Sequence, residues 1–453
     1  MDPVELELVG ADLDALDGAL AEERFRHVAG MEAEPSLVAC FDARPRAAHR
    51  KVVEALREAG HVELAARVAA LRAERAAAGD EEAWRAAEAA TTVLGPTGRV
   101  PLAQAELAMV RERDRGRRLA FGAAVACAAA AVGPAREAAV EKRALARAEV
   151  GLLPDWDAVL LGDALLASTD DAYRDVLGWL ARREAELAPT PAGDLQRPDL
   201  LLVLALHHWE GLFPRGMLAL AVEKTAGALR LDLGRVRIDD GARAAQWCGA
   251  HALGTRVSLR RQGGAADWLG LFDAAGQALA AAACPPRLRE LAAPSTAGAL
   301  LSGLLLDRGF LAARLDVEKK HAGDLVRALA LRQLFRLRAA AAALRVATEV
   351  ERGTSGAAWS EAHREALSLA ALATWPAGLA ARDGDAGAQL ARLRGAARAE
   401  VLRRRLVERN DEDWWRNPRS AEVLGSLLAA GGAWAEDEPE LAAAGQRLVA
   451  RVQ

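Results

Sequence analysis

In LGLFDAAGQALA (Leu269–Ala280), Asp273 and Gln277 lie four residues apart. On a helix that is about one turn, so the two side chains reach one point. A carboxylate and an amide so placed can hold a polar group or line a water-filled cleft. Ala274, next to Asp273, can accept no proton. The other reactive side chains are less suggestive. His207 and His208 are adjacent, and on a helix they point about 100° apart, which cannot chelate; a solvated pair is expected. His251, Cys248 and Cys284 flank the Asp273 segment, but no diagnostic spacing marks a Cys/His nucleophile or a metal site. Free cysteine is most often a small buried hydrophobe. Arg403–Arg405, with glutamates on either side, reads as a solvated face, and Trp414-Trp415 before Pro418 as an anchor for the last helices.

The elements that must position these groups are mostly helices. The 453 residues are dominated by Ala, Leu, Arg and Glu, all good helix formers, and the length suffices for two or three lobes. From Leu13 to Ala90 apolar residues recur at helical spacing, with Gly60 and Gly79 as expected stops. LGPTGRVP (Leu94–Pro101) predicts a turn or short hairpin. The proline- and glycine-rich stretch Ala188–Asp199 predicts a lobe boundary, dividing 1–190 from 191–453. Leu229–Asp240 and Gly254–Arg261 alternate as strands do, so a small sheet is expected beside the helix that carries Asp273.

Composition also excludes. With 59 basic and 63 acidic residues the formal charge is −4, which attracts neither nucleic acid nor anionic lipid. Four scattered cysteines without a C-x-x-C pair, together with an acidic start where an export signal would be basic, predict a cytoplasmic protein. The alanine-rich run Leu119–Gly133 falls short of the roughly 20 apolar residues that span a bilayer, and a buried helix is expected there.

The segment Arg256–Ala283, a strand, a Gly-Gly turn and a helix, resembles the active-site stretch of the oligoendopeptidase F and thimet oligopeptidase-like zinc peptidases. There a strand precedes R-P-x-G-G-x-x-D-Y and the helix reads F-H-E-A-G-H-A. Further segments resemble the family in the same order: Met109–Arg118, Asp170–Glu184, Trp209–Pro214, Arg332–Gly353 and Glu412–Gly431. The resemblance implies a mainly α, zincin-like (oligoendopeptidase/neurolysin-like) two-lobed fold with the small sheet next to the motif helix. Carried over, the two histidine ligands fall on Asp273 and Gln277 and the catalytic glutamate on Ala274. The third ligand falls on Ser295 or, in a second alignment, on Ala297, and the transition-state tyrosines fall on Ala388 and Arg392.

Neither a zinc ligand set nor a base nor an oxyanion donor is retained at these positions. The expectation is a pseudopeptidase without cofactor that binds a peptide or protein partner or regulates an active relative. The alternative is a hydrolase with a non-standard metal or nucleophile set.

Overall fold

A computed structural model describes residues 3–152, 156–186, 194–382, 386–431 and 441–452. Helices α1 (Pro3–Val28), α2 (Leu37–Asp42), α3 (Arg50–Glu58) and α4 (Val62–Ala90) lead to a hairpin, β1 (Thr92–Gly95) and β2 (Gly98–Pro101). Then come α5 (Ala105–Arg111), α6 (Arg115–Glu149), α7 (Trp156–Glu184), α8 (Arg197–Leu204) and α9 (Leu218–Ala228). Strands β3 (Arg237–Asp239), β4 (Gly249–Leu253) and β5 (Arg256–Arg260) precede α10 (Gly264–Ala283), α11 (Ala293–Gly303) and α12 (Arg308–Leu315). The chain closes with α13 (Lys319–Val350), α14 (Gly356–Ala371), α15 (Ala386–Asn410), α16 (Pro418–Ala429) and α17 (Leu441–Val452).

The mainly helical expectation and the small sheet are met, with local differences. Gly60 ends α3 in a left-handed conformation, φ +82°, but Gly79 lies inside α4. Buried Ala73, Ala77, Ala78 and Trp84 continue the packing past it, which outweighs the roughly 1 kcal/mol glycine costs a helix. Leu94–Pro101 does form a hairpin, with Gly95 paired to Gly98. Only Arg237–Asp239 of the expected first strand is extended, because Leu229 and Arg230 turn the chain out of α9 and Leu233–Arg235 form a short 3-10 helix. Leu119–Gly133 belongs to the 35-residue α6, long and apolar enough in length and composition to cross a bilayer. It is half-buried: Phe121, Val125 and Ala129 face the core, while Ala120, Ala123, Cys127 and Ala130 are exposed.

The expected boundary at 190/191 lies outside the described residues, and helices on both sides of it share the main core. Tyr173, Val176 and Leu180 of α7 pack with Leu200, Trp268, Leu325 and Leu329. A separate core joins α1 to α4 through Leu13, Leu16, Leu20, Phe41, Val53 and Val68. Across the two, backbone bonds tie distant segments together: Trp247 N–H donates to the Val28 carbonyl at 3.0 Å and Cys248 N–H to the Ala103 carbonyl at 3.3 Å.

In the three-stranded sheet β5 is central, parallel to β3 and antiparallel to β4, with His251 opposite Ser258. The turn into α10 needs glycine, since Gly263 and Gly264 have φ of +103° and +62°. Asp267 closes it by accepting the N–H groups of Gln262 at 2.7 Å and Gly263 at 2.9 Å. An aromatic run then seats the helix. Trp268 stacks with Phe272 at 6.2 Å, Phe272 meets Phe310 edge-on at 5.6 Å, and Phe310 meets Trp415 at 5.1 Å, so Trp414-Trp415 is an anchor as expected. Such pairs contribute about 0.5–1.5 kcal/mol each beyond burial.

Helices α10, α11 and α15 meet through residues without side chains. A Cβ on Gly276 would lie 2.6 Å from the Ala297 carbonyl carbon, one on Gly298 would lie 2.7 Å from the Asp273 carbonyl oxygen, and one on Gly395 2.5 Å from Ser295 Cβ. Gly298→Ala and Gly276→Ala are therefore expected to cost about 1–3 kcal/mol each in urea unfolding. Gly227→Ala, in α9 with open space around it, should be neutral or stabilising by about 0.4–1 kcal/mol. If Gly298→Ala behaved like Gly227→Ala, the close helix contact would be refuted.

His27 gives a pH-dependent test. It is 2% exposed, donates from Nδ1 to the Ala33 carbonyl at 3.0 Å, and is pushed down to about 4 by burial and then by the Arg85 guanidinium. Its folded-state pKa is depressed from 6.5, so the unfolded chain binds the proton first as pH falls. The stability it confers is full above about pH 6.5 and lost as pH falls towards 4. His27→Phe should flatten the stability–pH curve over that window in thermal melts; an unchanged slope would count against a neutral buried imidazole.

Candidate functional site

Helix α10 presents two faces. Trp268, Phe272, Ala275 and Leu279 are buried in the main core, whereas Asp273 and Gln277 are half-buried on the other side. The two touch, as their spacing requires: Gln277 Nε2 donates to Asp273 Oδ1 at 3.2 Å. The opposite oxygen, Asp273 Oδ2, accepts from Arg336 Nη2 at 2.9 Å. Asp273 is 18% exposed and Arg336 37%, so the pair sits at a partly open surface rather than sealed inside.

Arg336 arrives on α13, the long helix fixed by Arg338 two residues on. Arg338 is 1% exposed and donates to the carbonyls of Ala370 and Leu166, to Thr169 Oγ1 and to Asp170. Its guanidinium also lies 4.7 Å from the ring centre of Tyr173. The chain's single tyrosine is fully buried, and its hydroxyl donates to the Ala371 carbonyl. One turn before Arg336, Arg332 is bound to the Leu204 carbonyl and pushed down to about 10 by burial and by the Arg336 guanidinium, with Asp267 opposing.

The third helix of the site is α11. Its residue against Asp273 and Gln277 is Gly298, where an added Cβ would meet the Gln277 side chain at 2.9 Å. Neither candidate third position stands there. Ser295 packs under Gly395 of α15, and the Ala297 carbonyl lies against Gly276. Ala274 is 2% exposed within the core. On α15, Ala388 and Arg392 are exposed, and Arg392 donates to Gln389 at 3.1 Å. The structure thus joins Asp273 to Gln277, adds Arg336 and Gly298, and leaves Ser295, Ala388 and Arg392 on other faces.

What this arrangement can do follows from its donors. It offers one carboxylate already bound to a guanidinium, one neutral amide and a glycine. Among the described residues no group of three or more His, Cys, Asp or Glu side chains gathers where a cation could sit.

The remaining reactive groups do not form a nucleophile. His251 Nε2 is 2.9 Å from the backbone carbonyl of Cys248; a carbonyl only accepts, so that nitrogen carries the hydrogen and is spent on the main chain. Burial pushes the Cys248 thiol up to about 12, so it is not a thiolate near neutrality. Cys284 is buried at the far end of α10 against Pro285. His208 is exposed as expected, but His207 is not free in solvent: its Nε2 donates to the Val110 carbonyl at 2.8 Å. Arg404 and Arg405 are exposed, while Arg403 is half-buried and bound to Glu400.

Arg336 was within a segment already matched to the family, Arg332–Gly353, but nothing in its spacing marks it as the partner of Asp273. Gly298 carried no such mark either, since α10, α11 and α15 each hold more than one glycine and only the packing singles out Gly276, Gly298 and Gly395.

No family model and no curated protein sequence matches the chain. Solved structures do. A protein assigned as oligoendopeptidase F aligns over 98% of this chain and 80% of its own, with a TM-score of 0.55 and 14% identity. A structure of PZ peptidase A with an inhibitor covers 94% of this chain and 82% of its own, at TM-score 0.54 and 14% identity. An oligoendopeptidase F assignment from Bacillus anthracis covers 89% and 79%, at 0.53 and 12%. At such identity these likenesses establish the architecture: the chain has a mainly helical, oligoendopeptidase F-like fold.

Proposed function

We propose that this protein is a non-catalytic relative of the oligoendopeptidase F-like zinc peptidases that holds a peptide or protein partner without cutting it. The observation that carries this reading is the Arg336–Asp273 pair. At the position matched to the first histidine ligand stands a carboxylate, and its charge is met by a guanidinium 2.9 Å away. A zinc site needs three protein donors of the His, Cys or carboxylate kind; here the second position is the amide of Gln277 and the helix opposite contributes Gly298. Those residues do not fit the ion. Ala274 supplies no proton acceptor, and losing a positioned base costs on the order of 10²–10⁴ in rate. The retained fold, by contrast, keeps the architecture in which the relatives act on peptides.

The test uses the full chain supplied with zinc during expression. Elemental analysis is expected to find no stoichiometric zinc, a quenched oligopeptide library should show no chelator-sensitive cleavage, and anisotropy with the same library should detect saturable binding. One zinc per chain with cleavage lost to a chelator would overturn the proposal. Absence of any saturable peptide would overturn its binding half.

A further inference from the structure

Away from Asp273, widely separated segments converge on a second recess of about 210 Å³, lined by Glu106, Arg197, Trp247, His251, Trp375 and Arg382 among others. None of these is a matched peptidase position, and the recess does not depend on the reading above. It carries charge of both signs. The Arg197 side chain is 8% exposed, bound to Glu106, and lies 5.1 Å from the Trp375 ring centre. Arg382 donates from Nε to Glu88 at 3.1 Å, while its Nη1 is buried without a hydrogen-bond partner. Arg197 Nε is in the same condition. Leaving a buried donor unmet costs about 1–3 kcal/mol, and both side chains line the recess, so an acceptor there that the guanidiniums turn to meet recovers that cost. Glu106, 40% exposed, adds a carboxylate to the same lining, and Trp247 and Trp375 give it aromatic surface.

A ligand matching this lining has an acceptor anion, a cation, and a flat or apolar body. The volume sets its size: drug-sized ligands occupy roughly 300–1,000 Å³, so this recess takes something smaller. We infer that it binds a free α-amino acid with an aromatic or large apolar side chain. The carboxylate meets Arg382 and Arg197, the ammonium meets Glu106, and the side chain lies against the indoles.

The experiment is calorimetric titration of the full chain with L-phenylalanine, L-tryptophan and L-leucine, with tryptophan fluorescence as a second readout for the phenylalanine and leucine arms. For whichever binds, N-acetylation, amidation and extension to a dipeptide are compared. Saturable 1:1 binding is expected, weakened at least tenfold by either cap and by the longer ligand. Arg382→Lys keeps a cation for Glu88 but removes the guanidinium donors, and it should weaken binding at least tenfold in a protein with unchanged circular dichroism. Trp247→Leu provides a second variant that leaves the ion pairs intact and should do the same. No saturable binding of any of the three, equal binding of capped forms or dipeptides, or indifference to both substitutions would overturn the assignment. If none of the three amino acids binds while a peptide does, and neither variant changes that peptide's affinity, the function proposed above stands while this assignment fails.

Discussion

Two helices pressed together with no side chain between them govern this molecule. Where Gly276 of α10 meets the Ala297 carbonyl and Gly298 of α11 meets Asp273, the backbones approach so closely that a Cβ at either glycine would clash. That approach leaves no room on α11 for a donor aimed at α10. It also sets the Asp273 carboxylate against Gly298, which has no side chain to meet its charge, so the counter-charge must come from elsewhere. Arg336 supplies it from a third helix. Packing and the chemistry of the site are thus one constraint: the glycines that let the helices close also decide what can occupy the space between them.

Arginine does similar work elsewhere, for a reason rooted in composition. Helices rich in alanine remove little apolar surface per residue, so their faces slide easily against one another. Fixed polar contacts pin them. Arg118 and Asp199, both fully buried, join α6 to α8 at 2.7 Å. Glu81 of α4 gathers Arg85 and Arg143 and titrates far below the usual carboxylate range despite its burial, because Arg24, Arg85, Arg143 and Arg136 surround it. A buried pair of this kind is a modest source of net stability but a strong penalty on any register that separates its members.

How much of this was legible in the sequence follows the range of each interaction. Local ones read well. The helical periodicity, the hairpin at Leu94–Pro101, the Gly-Gly turn and the contact of Asp273 with Gln277 all depend on residues within a few positions of each other. The misreading at Gly79 arises where packing overrides a local signal: α4 runs through that glycine because its neighbours are buried. Strand β4, GAHAL, has no alternation to announce it and exists because β5 pairs with it. Arg336 as the partner of Asp273, and the recess around Arg382, could not be read at all, since each joins helices or loops far apart along the chain.

The two backbone bonds that tie the entry to β4 to Val28 and Ala103 bear on how the chain acquires its shape. Their partners are separated by well over a hundred residues, and closing such long loops costs entropy before any contact rewards it, which slows assembly. On the ribosome α1 emerges long before the sheet that will hold its end. The self-contained cluster of Leu13, Leu16, Leu20 and Phe41 gives those first helices something to hold on to while they wait.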